Sequence, residues 1–167
     1  MTERTEMKNS IISKESLVGI WTLMDMKTVD NEENVIYSYG ENPPGYLIYT
    51  KEGYVSVAMM NKHRLNLGLT VQHIMDMGYG IKRKINMFKY IKALFRYIQA
   101  VQQFVSYTGK YKVRDNKVIH NLEICSVPDV IGVDFERAIE LSGDKLFMTV
   151  LEPDYTVYTT WQRISEV

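Results

Sequence analysis

Cysteine, proline and histidine are scarce in this sequence of 167 residues, which contains one, four and three of them, respectively. The single cysteine, Cys125, excludes an intrachain disulfide and is typical of a reducing cytoplasm. The three histidines follow no metal-ligand spacing, and no phosphate-binding glycine loop or dinucleotide fingerprint occurs. We therefore expect a cytoplasmic protein with no metal site and no cofactor.

Long apolar runs and an excess of one charge are also lacking. No stretch reaches the roughly 18 apolar residues of a membrane span, and the polar N-terminal residues lack the apolar core of a signal peptide. Lys and Arg number 20, as do Asp and Glu, so the net charge is zero and gives no support to nucleic-acid binding. The length suits one domain with a substantial core.

Short strands separated by turn residues account for most of the chain. Residues 39–60 are the clearest case, with a loop rich in Gly and Pro, an apolar strand, the turn 51–53 and a return strand. Two further hairpins are predicted across residues 114–117 and 142–144. The pattern predicts an all-β fold, an antiparallel up-and-down barrel.

A helical insertion interrupts the strands at about 70–105. Apolar residues recur by threes and fours over 81–105, which predicts a helix, and two glycines separate it from a predicted short helix over 70–77. We expect a flexible lead over residues 1–15 and a single barrel domain over 16–167.

Strand alternation indicates which side chains face the barrel interior. The alternate set that runs from Val118 to Ile124 is apolar except for His120, and an apolar set in 135–141 contains Arg137. A buried charge needs a partner, so Arg137 either forms a structural pair or binds an oxygen atom of a ligand. His120 is either a hydrogen-bonded core residue or a proton donor or acceptor, because its ordinary pKa is about 6.5.

Tyrosine is abundant, with 12 residues in the chain. A phenol can hydrogen-bond a carbonyl while its ring packs against an apolar molecule. Several tyrosines lie on predicted strands near His120 and Arg137, and some of them are expected to contact a ligand. They are Tyr49, Tyr54, Tyr107 and Tyr111.

Many short segments of the chain match one known family in their order and approximate spacing. They are 17–21, 39–43, 45–50, 53–57, Met60, 107–111, 118–120, Glu123, Pro128, Gly132, Arg137, 141–146 and 161–163. On these residues the chain resembles the bacterial and fungal lipocalin-like domain family. The resemblance implies a barrel around a pocket for a small, largely apolar molecule. It also implies that Arg163 packs across Trp21 and closes the barrel base, which is a structural role.

The resemblance leaves two functions open. The favoured one is a cofactor-independent cyclase or isomerase that tailors a polyketide- or terpenoid-like metabolite in a biosynthetic pathway. The alternative is a non-catalytic carrier for a small hydrophobic molecule. The predicted catalytic residues are His120, Arg137 and Tyr111, which would polarise a carbonyl. The predicted ligand-binding residues are Tyr49, Tyr54, Ser56, Met60, Tyr107, Leu122 and Phe135.

The predicted long helix is strongly basic. Six Lys and Arg residues stand between Ile81 and Arg96, and no acidic residue occurs between Met77 and Arg114. One interpretation is a solvated face above an apolar stripe that packs on the barrel. The other is a docking surface for an acidic carrier protein or for anionic lipid. The carrier protein is favoured over lipid because the resemblance points to biosynthesis.

Overall fold

The computed structural model describes residues 12–79 and 87–164. The helices within those ranges are α1 (Lys14–Leu17), α2 (Val71–Gly78) and α3 (Met87–Gln102), with a 3-10 helix at Pro128–Val130. The strands are β1 (Gly19–Asp30), β2 (Val35–Ile36), β3 (Gly45–Tyr49), β4 (Tyr54–Met60), β5 (Phe104–Arg114), β6 (Lys117–Cys125), β7 (Asp134–Ser142), β8 (Lys145–Leu151) and β9 (Tyr155–Arg163). No described helix has the length and apolar character needed to cross a membrane.

One antiparallel sheet closes into a barrel of eight strands. Neighbouring strands follow the chain order from β3 to β9, and β1 pairs with β3 on one side and with β9 on the other. The short strand β2 lies on the same side of β1 as β3 and pairs with the far half of β1. The predicted all-β up-and-down barrel is therefore confirmed.

The two hairpin turns with the clearest sequence signals have the expected geometry. Strands β3 and β4 pair along their full length, and Gly53 closes the turn between them with φ +98°, a conformation that favours glycine. Between β5 and β6, Asp115 and Asn116 adopt φ +50° and +56°, which these residue types tolerate. Turn chemistry thus sets the register of these strands.

A β-bulge beside Gly109 changes which side chains of β6 face the interior. Thr108 and Gly109 pair with residues of β6 that are two positions apart, so one residue of β6 is left without a partner. A side chain at Gly109 would collide with the backbone of β6, so this close approach requires glycine. The alternation shifts by one beyond the bulge, and Cys125 takes the inward position while Ile124 is 70% exposed. The prediction that Ile124 faces inward is wrong for this reason.

Helix α1 and the end of β9 close one end of the barrel, termed the base. Leu17 and Trp21 are fully buried, and Trp21 Nε1 donates to the Leu17 carbonyl oxygen at 2.9 Å. The Arg163 guanidinium carbon lies 4.0 Å from the Trp21 ring centroid. Its Nη1 and Nη2 donate to the carbonyl oxygens of Val18 and Ser16, each at 2.6 Å. The predicted packing of Arg163 across Trp21 is confirmed.

Part of the predicted N-terminal lead belongs to this base. Ile12 is buried in the core, and its backbone N–H donates to Oδ1 of Asn116 at 2.9 Å. Residues 1–11 lie outside the described residues. The domain boundaries given above stay a prediction.

The inward side chains at the opposite end, termed the mouth, are only half-buried. Met26, Met59, Val105 and Phe135 pack on the core with one side and keep part of their surface accessible. Close packing would bury them as fully as it buries Trp21 at the base. Part of their apolar surface is therefore accessible at the mouth.

The barrel wall lacks strand pairing at one place near the mouth. Strands β7 and β8 pair from Ala138 with Thr149 onward, toward the base. Residues 134–137 of β7 pair only with β6, and residues 150–151 of β8 pair only with β9. A recess of about 320 Å³, termed the side recess, opens between these strand ends. Its lining residues are Asp134, Phe135, Glu136, Arg137, Val150, Leu151 and Glu152.

The helical insertion departs from the prediction in its end point and in its packing. α2 confirms the separate short helix, residues 80–86 lie outside the described residues, and α3 ends at Gln102 before β5 begins at Phe104. The predicted packing of the apolar stripe on the barrel is wrong, because α3 buries Ala93 and Ala100 instead. The stripe residues Ile91, Leu94, Phe95, Ile98 and Val101 are exposed.

Candidate functional site

Four polar side chains meet on the inner wall of the barrel, around the middle of β6. His120 is fully buried, and its Nε2 lies 2.7 Å from the hydroxyl oxygen of Tyr49 on β3. Its Nδ1 lies 3.0 Å from the hydroxyl of Tyr107 on β5 and 3.4 Å from Nη1 of Arg137 on β7. These four residues are termed the polar cluster. The structure therefore brings together the two residues that strand alternation singled out.

Hydrogen-bond polarity within the polar cluster assigns a role to each group. Arginine only donates, so Nδ1 of His120 accepts from Arg137 and carries no hydrogen. In a neutral ring the hydrogen is then on Nε2, which donates it to the Tyr49 oxygen. The Tyr107 hydroxyl also donates to Nδ1. Both ring nitrogens of His120 are thereby engaged by protein groups.

Burial keeps the cluster neutral except at the guanidinium. Burial lowers the pKa of His120 well below its usual value of 6.5, and the neighbouring Arg137 cation lowers it further. Burial raises the pKa of Tyr49 well above 10.0, and it also raises the pKa of Tyr107. At neutral pH the imidazole is therefore uncharged and both phenols are protonated. Within the described ranges, no group of three or more His, Cys, Asp or Glu residues is placed to hold a metal ion.

Arg137 is the member of the cluster that a small molecule can reach. It is half-buried and lines the side recess, with its guanidinium carbon 5.7 Å from the Tyr107 ring centroid and 5.3 Å from that of Phe135. Besides contacting His120, Nη1 donates to the Phe135 carbonyl oxygen at 3.2 Å. Nε and Nη2 have no acceptor among the residues described. Two aromatic rings and a histidine thus hold a guanidinium whose remaining donors can bind a guest molecule.

The Tyr111 hydroxyl is not part of this arrangement. It donates to the Thr50 carbonyl oxygen at 2.9 Å, and the Tyr111 ring packs 4.6 Å from the Tyr49 ring. Burial raises the pKa of Tyr111, and the carboxylates of Glu15 and Glu52 raise it further. Because the hydroxyl is engaged by the backbone, the geometry gives no support to a catalytic role for Tyr111.

Three predicted ligand-binding residues lie on the outer face of the barrel. Tyr54, Ser56 and Met60 occupy the β4 positions that alternate with the buried residues Val55 and Val57. The Ser56 hydroxyl accepts from Thr108 on this outer face, and Met60 lines a shallow external groove. These outward positions give no support to a role for the three residues in binding a ligand inside the barrel. In β4 the apolar alternate set, Val55, Val57 and Met59, marks the inward face.

The other four predicted ligand-binding residues do face inward. Tyr49, Tyr107 and Leu122 are fully buried, whereas Phe135 is half-buried and lines the side recess. Their contact with a ligand stays a prediction.

Sequence reasoning missed the β8 side of the recess, where Val150 and Leu151 lie. The apolar alternate set of β8, which ends at Val150, was the signal that could have revealed part of it.

Comparison with protein families identifies the group to which the chain belongs. The model of the lipocalin-like domain family matches residues 18–164. The chain belongs to this family. The matched region contains all nine described strands of this lipocalin-like protein, together with the polar cluster.

The chain is similar to a named carrier protein and, more remotely, to several solved structures. The 4'-hydroxy-3'-methoxypropiophenone carrier protein of Aspergillus oryzae is 27% identical over a 79-residue alignment, and the match covers 39% of this chain and 71% of the relative. An uncharacterised protein from Bacteroides eggerthii is 12% identical with a TM-score of 0.42, covering 89% of this chain and 99% of that one. Fatty-acid-binding protein 1 of Echinococcus granulosus is 12% identical with a TM-score of 0.40, covering 90% and 99%. The fluorescent protein UnaG is 12% identical with a TM-score of 0.41, covering 91% and 100%.

Proposed function

We propose that this lipocalin-like protein is a carrier that binds a small, largely apolar molecule by an oxygen atom and releases it unchanged. The observation that carries the proposal is Arg137, which is held by Tyr107, Phe135 and His120 with donors left free beside the side recess. The guanidinium would bind a carbonyl or carboxylate oxygen of the guest. The half-buried apolar side chains at the mouth would pack against its hydrocarbon part.

The state of His120 supports binding rather than proton transfer. A general base works best with a pKa near the working pH and within hydrogen-bond reach of the substrate. His120 is fully buried, both its ring nitrogens face protein groups, and its pKa lies well below 6.5. It is better suited to positioning Arg137 than to reacting with a guest.

The named relative supports the same proposal. Its name describes a carrier of an aryl ketone, a small aromatic molecule with a carbonyl oxygen. A ketone of this kind offers the acceptor that Nε and Nη2 of Arg137 lack among the described residues, and it has an apolar ring for the mouth. We therefore extend the carrier role to this chain, with a carbonyl compound as the guest class.

The test compares two ligands on two proteins. The ligands are 4'-hydroxy-3'-methoxypropiophenone and 2-methoxy-4-propylphenol, in which a methylene group replaces the carbonyl. Calorimetry should give a Kd for the ketone that Arg137→Leu weakens by about tenfold to a hundredfold, the usual effect of losing a hydrogen bond to a charged group. The same variant should change the Kd of the methylene compound less than twofold. Equal losses for both ligands, or no loss for either, would overturn the role of Arg137.

A cofactor-independent cyclase or isomerase is the second candidate. It is favoured by one observation, the free Nε and Nη2 donors of Arg137, which could polarise a carbonyl in a reacting guest as well as bind it. Mass spectrometry of a molecule that copurifies with the protein, before and after prolonged incubation, separates the two candidates. The carrier proposal requires that the molecule be recovered unchanged, and conversion to a product of equal mass but different retention time would favour the isomerase.

A further inference from the structure

Helix α3 is oriented with its small residues toward the protein and its large apolar residues toward the outside. Ala93 and Ala100 are buried, with 6% exposure each. The residues on the opposite side, termed the outer ridge, are 39–67% exposed and follow the spacing of one helix face. They are Ile91, Leu94, Phe95, Ile98 and Val101. An apolar stripe of this kind normally faces a core, but none of the residues that the structure describes covers the outer ridge.

Polar contacts on the inner side hold α3 in this orientation. Arg64 Nη2 donates to the Ala100 carbonyl oxygen at 3.0 Å, and Arg96 Nη1 donates to the Asn66 carbonyl oxygen at 3.2 Å. The Arg64 guanidinium carbon also lies 4.9 Å from the ring centroid of Phe104, at the start of β5. The loop after β4 thus fixes one face of α3 and leaves the outer ridge pointing away from the barrel.

The zero net charge conceals a strong separation of charge along the chain. Residues 53–114 contain eleven of the 20 Lys and Arg residues and a single acidic residue, Asp76. The rest of the chain contains nine basic and 19 acidic residues. Lys62 and Lys92 are exposed in the segment that carries the outer ridge. Eight of the eleven basic residues lie between Lys62 and Arg96, in or beside the helical insertion, so the insertion is the positive part of the protein, which an anionic surface would attract and orient.

We propose that α3 docks on an anionic lipid surface, with the outer ridge in the boundary between head groups and acyl chains. The outer ridge is convex and lies on one helix face, which suits a deformable bilayer that closes around a helix. The basic residues on the same segment would bind the acidic head groups. α2 adds a second exposed apolar set, Val71, Ile74, Met75 and Tyr79. This inference goes beyond the carrier role, since it concerns where the protein meets its guest and does not depend on Arg137.

The test measures binding of the full chain to sedimented vesicles. Vesicles of phosphatidylcholine with about 30% phosphatidylglycerol should bind the protein, and vesicles of phosphatidylcholine alone should bind it at least tenfold less well. Leu94→Asp combined with Ile98→Asp should reduce the partition coefficient on the anionic vesicles at least tenfold. Lys62→Glu combined with Lys92→Glu should reduce it several-fold, and the loss should shrink in high salt.

A matched control places the same charges on exposed apolar residues of the barrel. Ile124 and Ile131 are 70% and 52% exposed, so Ile124→Asp combined with Ile131→Asp should leave the partition coefficient within twofold. Circular dichroism and thermal unfolding of each variant check that the fold is retained. No binding of the wild type to anionic vesicles, or equal losses in ridge and control variants, would overturn the proposal. Capture by an immobilised acyl carrier protein without vesicle binding would overturn it in favour of an acidic protein partner.

Discussion

The two ends of the barrel each contain an arginine stacked on aromatic rings, and they use it differently. At the base, Arg163 lies on the Trp21 ring, and its Nη1 and Nη2 donate hydrogen bonds to backbone carbonyl oxygens. Near the mouth, Arg137 lies beside the rings of both Tyr107 and Phe135, and its Nε and Nη2 have no acceptor among the described residues. A guanidinium against aromatic rings therefore stabilises the fold at the base, whereas near the mouth it has donors that no described residue uses. The partners of an arginine, more than its burial or its rings, distinguish the two roles.

The largest expected effect is a loss of stability at the base. Trp21 is fully buried, so Trp21→Ala should lower the free energy of unfolding by about 3–5 kcal/mol, the usual cost of a large cavity. Met59 is half-buried at the mouth, so Met59→Ala should lower the free energy of unfolding by only about 1 kcal/mol. Urea unfolding of both variants measures the two values. Similar costs at the two ends would contradict the view that packing is concentrated at the base.

A smaller effect separates the two arginines. Arg163→Leu leaves the carbonyl oxygens of Ser16 and Val18 without their donors, and it should lower the free energy of unfolding by about 2–3 kcal/mol. Arg137→Leu should lower it by less than about 1 kcal/mol, because Arg137 is half-buried and forms few bonds. Urea midpoints compared at equal m-values test this difference. An equal loss of stability in both variants would make Arg137 a structural residue.

The smallest effect is a pH dependence that originates in the polar cluster. Because the pKa of His120 is well below 6.5 in the folded protein, the unfolded chain binds an extra proton as the pH falls below 6.5. The free energy of unfolding should then decrease by up to about 1.4 kcal/mol per pH unit, until the folded-state pKa is reached. The measurement is urea unfolding at pH 7.5 and 5.5.

Two variants isolate the contribution of His120 to that dependence. His120→Gln should remove it. Arg137→Leu should raise the pKa of His120, because the Arg137 cation is the second cause that lowers it. The pH range over which the free energy of unfolding decreases should then be narrower. An NMR titration of the His120 ring reports that pKa directly. A ring that titrates near 6.5 in the wild type would contradict the burial of His120 in the polar cluster.

Local sequence signals were enough to predict the barrel and its turns, and the family resemblance implied the closure of its base. The hairpin at Gly53 and the stacking of Arg163 on Trp21 rest on glycine geometry and family-matched segments, and both are confirmed. Strand alternation also predicted that His120 and Arg137 face the interior, and the structure places them in contact there. The hairpin and the strand alternation depend on residues close in sequence, whereas the packing of Arg163 on Trp21 was implied by the family resemblance.

Features that depend on contacts between distant segments were not predictable in the same way. The bulge opposite Gly109 reverses the inward side of β6, and Ile124 turns outward with it. The orientation of α3 depends on Arg64, which lies in the loop after β4 and binds the Ala100 carbonyl. Periodicity gives the apolar face of a helix, but it does not say which face the rest of the chain will hold.

The unpaired ends of β7 and β8 have a mechanical consequence for the barrel as a whole. In a barrel where every strand is hydrogen-bonded to both neighbours along its length, strand number and shear fix the diameter. Here the ladder between β7 and β8 stops at Ala138 and Thr149, so the rim can spread at that seam without breaking a strand-to-strand bond. The base remains a complete ring and keeps the register. Under the carrier proposal, an opening of the rim at this seam would let the mouth fit guests of different width.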